Sequence, residues 1–213
     1  MHQKILVTGF APFDGERINP SWLVAQALQD WQPTPQHQVV AAELECAFAQ
    51  SAAQLAELVA LHKPSLIIAI GQAGGRPMLS LEKVAINLIE ARIPDNRGVQ
   101  PSGCAVIPNA PTAYFCQLPL KAMLKALHEQ QIPAAISYTA DTYVCNSTFF
   151  HLCHLEQQQK IPVGFVHIPY APSQTLSSAT PSMALEMAVA GLKTIINTAL
   201  TAKEITYQVG TLD

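Results

Sequence analysis

The sequence predicts an α/β protein with a mostly parallel sheet covered on both faces. Three observations lead there. Short β-rich apolar runs alternate with segments of helical spacing, the pattern of strands joined by crossover helices. One of those runs, residues 65–70, is continuously apolar, as in a parallel strand buried on both sides. The chain has 213 residues, 49% of them hydrophobic and 13% charged, enough for one sizeable core, so a single domain over 1–213 is expected.

The elements follow in order. Residues 4–10 read as the first strand. Asn19 caps a helix that begins with Pro20 and continues through Leu23, Ala27 and Leu28. Residues 38–44 form a second strand. A helix over 48–63 ends before Pro64, and the strand over 65–70 follows. A segment rich in Gly, Pro and Asn runs from 71 to about 111, with strand-like alternation at 83–88. A loop of that length in a compact domain usually carries function. A helix over 118–131, a strand over 134–138, a helix over 144–159, a strand over 163–168 and a long helix over 182–202 complete the chain.

Composition excludes several functions. The net charge of −3 gives no basic field for nucleic acid or an anionic membrane. No run approaches the roughly 20 apolar residues of a membrane span, and the apolar start after Lys4 is too short for a signal peptide. Cys46, Cys104, Cys116, Cys145 and Cys153 are odd in number and form no Cys-x-x-Cys pair, which argues against a disulfide frame or zinc ribbon. A cytoplasmic protein is expected. Its high apolar content suggests that another subunit covers part of its surface.

In an open α/β sheet, ligands bind beyond the carboxyl ends of the strands. Cys145 follows a strand and opens a helix, where the dipole and free N–H groups favour a thiolate and can hold an oxyanion. A buried structural cysteine is the alternative, and the other four cysteines are read as structural. His167 ends a strand and could take the thiol proton, or be a core histidine. Glu82 could orient the imidazole, or be a surface carboxylate. His151 and His154 bracket Cys153 on one helix; a solvated face is the expectation there rather than a metal site.

Six stretches then identify a resemblance. Gly71-Gln72-Ala73-Gly74-Gly75-Arg76, Glu82-Lys83-Val84-Ala85-Ile86-Asn87 and Ala91-Arg92-Ile93-Pro94-Asp95-Asn96 resemble consecutive motifs of the pyroglutamyl peptidase type I family. Thr8-Gly9-Phe10 through Asn19-Pro20-Ser21-Trp22, Tyr143-Val144-Cys145-Asn146 and Phe165-Val166-His167-Ile168-Pro169-Tyr170 agree. The likeness runs from residue 4 to about 195, in order.

The resemblance implies a three-layer α/β/α sandwich, phosphorylase/hydrolase-like, and a homotetramer. It implies a cysteine peptidase that removes an N-terminal pyroglutamyl group from peptides without cofactor or metal. Glu82, Cys145 and His167 would be its triad. Phe10 and Phe13 would wall the lactam ring, and Tyr143 and Val144 would line the same pocket. Gln72 would hydrogen-bond the lactam through its backbone, Asn19 would help fix the ring, and Arg92 would help hold the oxyanion. A neutral lactam needs apolar faces with one donor and one acceptor, and such a pocket rejects a charged N-terminus.

Asp141 stands where the family usually carries Gly. If that Gly has positive φ, Asp tolerates the conformation better than most residues, at some cost, and a carboxylate there would raise the thiol pKa. Lys83, Leu81, Ala11 and Asp14 also differ from frequent family choices. Two further readings accompany the hydrolase: a protein that binds pyroglutamyl ends without cleaving them, and a phosphate-dependent transferase of nucleoside phosphorylase type, its Gly-rich loop holding phosphate.

Overall fold

The computed structural model describes residues 2–208; residue 1 and residues 209–213 of the expected single domain lie outside them. The strands and helices are β1 (Gln3–Phe10), α1 (Pro20–Ala27), β2 (His37–Leu44), α2 (Phe48–His62), β3 (Leu66–Gln72), β4 (Leu79–Glu82), β5 (Val84–Ile86), β6 (Ala113–Phe115), α3 (Leu120–Glu129), β7 (Ala134–Ser137), α4 (Val144–Gln159), β8 (Val163–Ile168) and α5 (Leu185–Thr201). A 3-10 turn spans Pro172–Gln174.

Six strands form the central sheet in the order β2-β1-β3-β8-β4-β7. Strands β2, β1, β3 and β8 are parallel. The middle strand β3 is buried along its whole length, which is why its sequence is apolar without alternation. Helix α5 contacts both α1 and α3 on one side, with α1 against β1 and α3 against β7; α2 and α4 pack together on the other side, with α2 against β2 and α4 against β8. This is the expected three-layer sandwich. Phe149, Phe150 and Phe165 are among its largest fully buried side chains.

The local signals explain the boundaries. Asn19 Oδ1 accepts from the backbone N–H of Ser21 (3.1 Å) and so caps α1. Lys63 takes the left-handed conformation (φ 46°) that ends α2 just before Pro64. Helix α2 lacks a side-chain cap at Ala47; instead Asp95 Oδ2 accepts from Phe48 N–H at 3.0 Å, from 47 positions away. Asp95 Oδ1 also accepts from the N–H groups of Arg97 and Val99. The long 71–111 segment is thereby tied to the layers.

One sequence expectation needs correction. The strand read over 83–88 is shorter, only Val84–Ile86 (β5), and pairs with β6 in a separate antiparallel ribbon; just before it β4, a strand the sequence did not suggest, joins the main sheet and ends at Glu82. Alternation could not show where one sheet ends and the next begins. Strand β4 also runs antiparallel to β8, with Ser80 opposite His167, and β7 runs parallel to β4. The outer two strands therefore reverse direction.

Candidate active site

His167 lies near the carboxyl end of β8 and faces Gly71 of β3 on one side and Ser80 of β4 on the other. Glu82 is two residues further along β4, on the same face as Ser80. It is thus a diagonal cross-strand neighbour of His167, within reach of a long side chain. The two meet: His167 Nδ1 donates to Glu82 Oε1 at 2.7 Å, with Glu82 fully buried and His167 4% exposed. Glu82 is therefore no surface carboxylate. With Nδ1–H engaged, the neutral imidazole has its acceptor lone pair on Nε2.

Cys145 arrives by a different route from the one the strand-end rule suggests, because β7 before it runs against β8. It is the second residue of α4, and its thiol lies over Gly71. A Cβ on Gly71 would stand 2.8 Å from Cys145 Sγ, 2.9 Å from Phe165 Cζ and 3.0 Å from His167 Cδ2. Glycine is required because thiol and imidazole share the space a side chain would fill. The neighbouring Asn146, wholly buried, anchors this helix start. Its Oδ1 accepts from Ile86 N–H (3.0 Å), and its Nδ2 donates to the carbonyls of Ile86 (2.9 Å) and Leu88 (3.1 Å). The side-chain amide thus imitates a strand partner for β5.

A cavity of about 390 Å³ opens over these groups, lined by Phe10, Phe13, Asn19, Gln72, Arg92 and Tyr143 as well as Cys145 and His167. Phe10 is buried beside Phe165, and Phe13 and Tyr143 face each other at 6.2 Å. Asn19 is 3% exposed and heavily engaged: Oδ1 caps α1 and also accepts from Ser21 Oγ, while Nδ2 donates to Ala11 O (3.1 Å). It fixes the Phe10–Phe13 loop. Gln72 Oε1 accepts from Gln174 Nε2 at 3.0 Å, which holds that side chain aside. Arg92 is exposed at the rim.

Val144 does not line the cavity. As the first residue of α4 it is fully buried in the core. Cys46, read from sequence as structural, does line the cavity. Burial, with the nearby Asp95 carboxylate adding to it, pushes its thiol up to about 12. Sequence held no signal for that, since Cys46 sits between β2 and α2 with no motif around it. His154 bonds Tyr114 OH (2.7 Å) and Gln158 (2.9 Å), and both His151 and His154 are half-buried, so the expected solvated face is instead a bonded one. Among the described residues no His, Cys, Asp and Glu cluster fits a metal ion.

The helix start was expected to lower the Cys145 pKa. The thiol is instead pushed well above its usual range, by burial first, then by Cys46, Glu82 and Asp141, with Arg76 opposing. Desolvation of the anion outweighs the partial charge of one helix end. Asp141 has a positive φ, 66°, and its Oδ1 accepts from Thr142 N–H (2.8 Å). Thr142 in turn exchanges hydrogen bonds with the backbone of Glu90. Arg76, the last residue of the glycine-rich motif, donates to Glu82 Oε1 at 2.6 Å.

A half-buried thiol and an imidazole lining a cavity partly walled by aromatic rings, with a buried carboxylate bonded to the imidazole, define the class: a cysteine-type hydrolase on an α/β sandwich. Comparison with known proteins gives the particular family. Residues 3–202 match the family model described as pyroglutamyl peptidase. A pyrrolidone-carboxylate peptidase of Pseudomonas fluorescens is 45% identical over 96% of this chain and 98% of its own length. One from Escherichia fergusonii is 48% identical, covering 93% of each. Among solved structures, pyroglutamyl peptidase I from Bacillus amyloliquefaciens superposes with a TM-score of 0.93 at 41% identity, over 98% of this chain and all of that one. A mutant pyrrolidone carboxyl peptidase from Pyrococcus furiosus gives 0.90 at 38%, over 93% and 98%. The chain belongs to the pyroglutamyl peptidase family. That membership sets aside the phosphorylase reading.

Proposed function

We propose that this enzyme hydrolyses the bond after an N-terminal pyroglutamyl residue with Cys145 as nucleophile, His167 as general base and acid, and Glu82 as the group that orients His167. The observation that carries this is the 2.7 Å His167–Glu82 hydrogen bond beside a thiol held over Gly71, with Cys145 and His167 lining one cavity.

Burial raises the Cys145 thiol pKa, so attack needs a base beside it. His167 Nε2 takes the proton, and Sγ attacks the pyroglutamyl carbonyl. The tetrahedral oxyanion is met by N–H groups at the start of α4 and by Arg92 from the rim. Glu82 stabilises the imidazolium, which then protonates the leaving amine. Water, deprotonated by His167, hydrolyses the thioester and restores the thiol. Phe10, Phe13 and Tyr143 supply apolar faces for the lactam, and the Gln72 backbone supplies a polar contact. Asn19 acts by holding the loop that carries both phenylalanines.

The substrates are peptides with an N-terminal pyroglutamate. We further propose a cytoplasmic homo-oligomer, a tetramer by family resemblance. Five unpaired cysteines accord with a reducing compartment, and exposed Phe115, Tyr138 and Leu176 accord with a surface that another copy covers. No helix among the described residues is long and apolar enough to cross a membrane.

The test is release of a fluorogenic amine from a pyroglutamyl amide under reducing conditions, with C145S alongside. Turnover by the wild type and none by the variant supports the assignment. A folded wild type that never turns over and whose Cys145 stays inert to iodoacetamide near neutral pH indicates the binding protein instead.

A further inference from the structure

We propose that Arg76 is a positioning residue of this catalytic centre, locking the Glu82 carboxylate and the turn that leads to the nucleophile into one frame. The proposal rests on the triad reading above and adds a member to it.

Arg76 comes from the glycine-rich loop after β3, and its guanidinium spans two elements. Nη1 donates to Glu82 Oε1 at 2.6 Å and lies 3.4 Å from Ser137 Oγ. Nη2 donates to Thr139 O at 3.0 Å, a carbonyl that Ser137 Oγ also approaches at 3.0 Å. Residues 137–139 end β7 and open the turn to Cys145. One planar fork therefore holds the orienting carboxylate and the nucleophile's approach together. A lysine, a point charge on a flexible stem, cannot span both.

The bonding of Glu82 shows why such a partner is needed. Oε1 accepts from both Arg76 and His167, whereas Oε2 is buried with no partner among the described residues. Without Arg76, a fully buried carboxylate would keep one hydrogen bond and no fixed cation. It could then turn either oxygen to His167, or draw the imidazole away from the thiol. Arg76 also favours the Cys145 thiolate directly. The thiol faces Cys46 from the segment between β2 and α2, Glu82 from β4, Asp141 from the turn and His167 from β8; of the groups that shift it, Arg76 alone pulls its pKa down.

The experiment is a cycle of R76M, E82Q and the double variant, assayed for kcat and KM on a pyroglutamyl fluorogenic amide, with melting temperature as the check on folding. R76M is expected to lower kcat about 10²-fold, the scale of a misplaced catalytic group, with KM changed less than about threefold. In the E82Q background the same substitution should cost little more, because its partner is gone. Alkylation of Cys145 by iodoacetamide should move to higher pH in R76M. R76K, which keeps the charge but loses the fork, should fall between, and carries the same cycle if R76M does not fold. A kcat within about twofold of wild type in R76M, or an equal loss with and without Glu82, overturns the proposal. If E82Q or C145S itself turns over like wild type, the triad reading fails and this one with it; a normal loss in E82Q beside an unaffected R76M sinks Arg76 alone.

Discussion

Glu82 and His167 stand on adjacent antiparallel strands, one diagonal step apart on the same face, and bond at 2.7 Å across 85 positions of sequence. The bond fixes which imidazole nitrogen carries the proton. Glu82→Gln keeps the shape but removes the charge that stabilises the imidazolium. We expect kcat to fall by about 10²- to 10⁴-fold with KM little changed, measured on the fluorogenic amide. An E82Q enzyme with wild-type kcat would contradict the role.

Gly71 is the shared floor of thiol and base. Gly71→Ala inserts a methyl 2.8 Å from Cys145 Sγ and 3.0 Å from His167 Cδ2, so one of them must move. A displacement of that kind should reduce kcat/KM by about 10²-fold while leaving the fold intact by circular dichroism. Full activity in G71A would mean that the two groups do not act together.

Asp141 is the chain's departure from the family at a left-handed position four residues before Cys145. Its carboxylate is one of the groups that raise the Cys145 pKa. The sign follows: a nearby negative charge disfavours the thiolate, so removing it lowers the pKa. Asp141→Gly should shift the iodoacetamide alkylation profile to lower pH and raise the alkylation rate at neutral pH. Gly also takes φ 66° without steric cost. An unmoved profile would show that solvent screens the carboxylate from the thiol.

Asn146 is a structural prediction with a catalytic consequence. Asn146→Ala leaves the N–H of Ile86 and the carbonyls of Ile86 and Leu88 without partners. The groups are only part-buried, so each costs less than the full penalty of an unpaired buried group, and denaturant melts should show a loss of about 1–3 kcal/mol. Activity should fall as well, since the start of α4 loses its anchor. A loss below about 1 kcal/mol would mean that water replaces the amide.

Much of this was legible in the sequence because it is local. The Asn19-Pro20 helix start, the limits of α4 and β8 and the apolar run of β3 each depend on residues within a few positions. The resemblance carried Cys145, His167 and Glu82 and the apolar walls of the cavity, since motif residues keep their order along the chain. Val144 fell outside the cavity because which way a residue at a helix start points depends on what packs against it.

The sequence by itself determined most of the element types, the candidate reactive groups and the family. Tertiary structure alone decided that β4 and β7 reverse direction, that Arg76 shares an oxygen of Glu82 with His167, that Cys46 borders the cavity and that the Cys145 thiol is held neutral. The reason is physical. Periodicity and capping arise from backbone geometry within one or two turns, whereas strand direction, desolvation and shared hydrogen bonds are set by partners that the chain brings together only when its layers close.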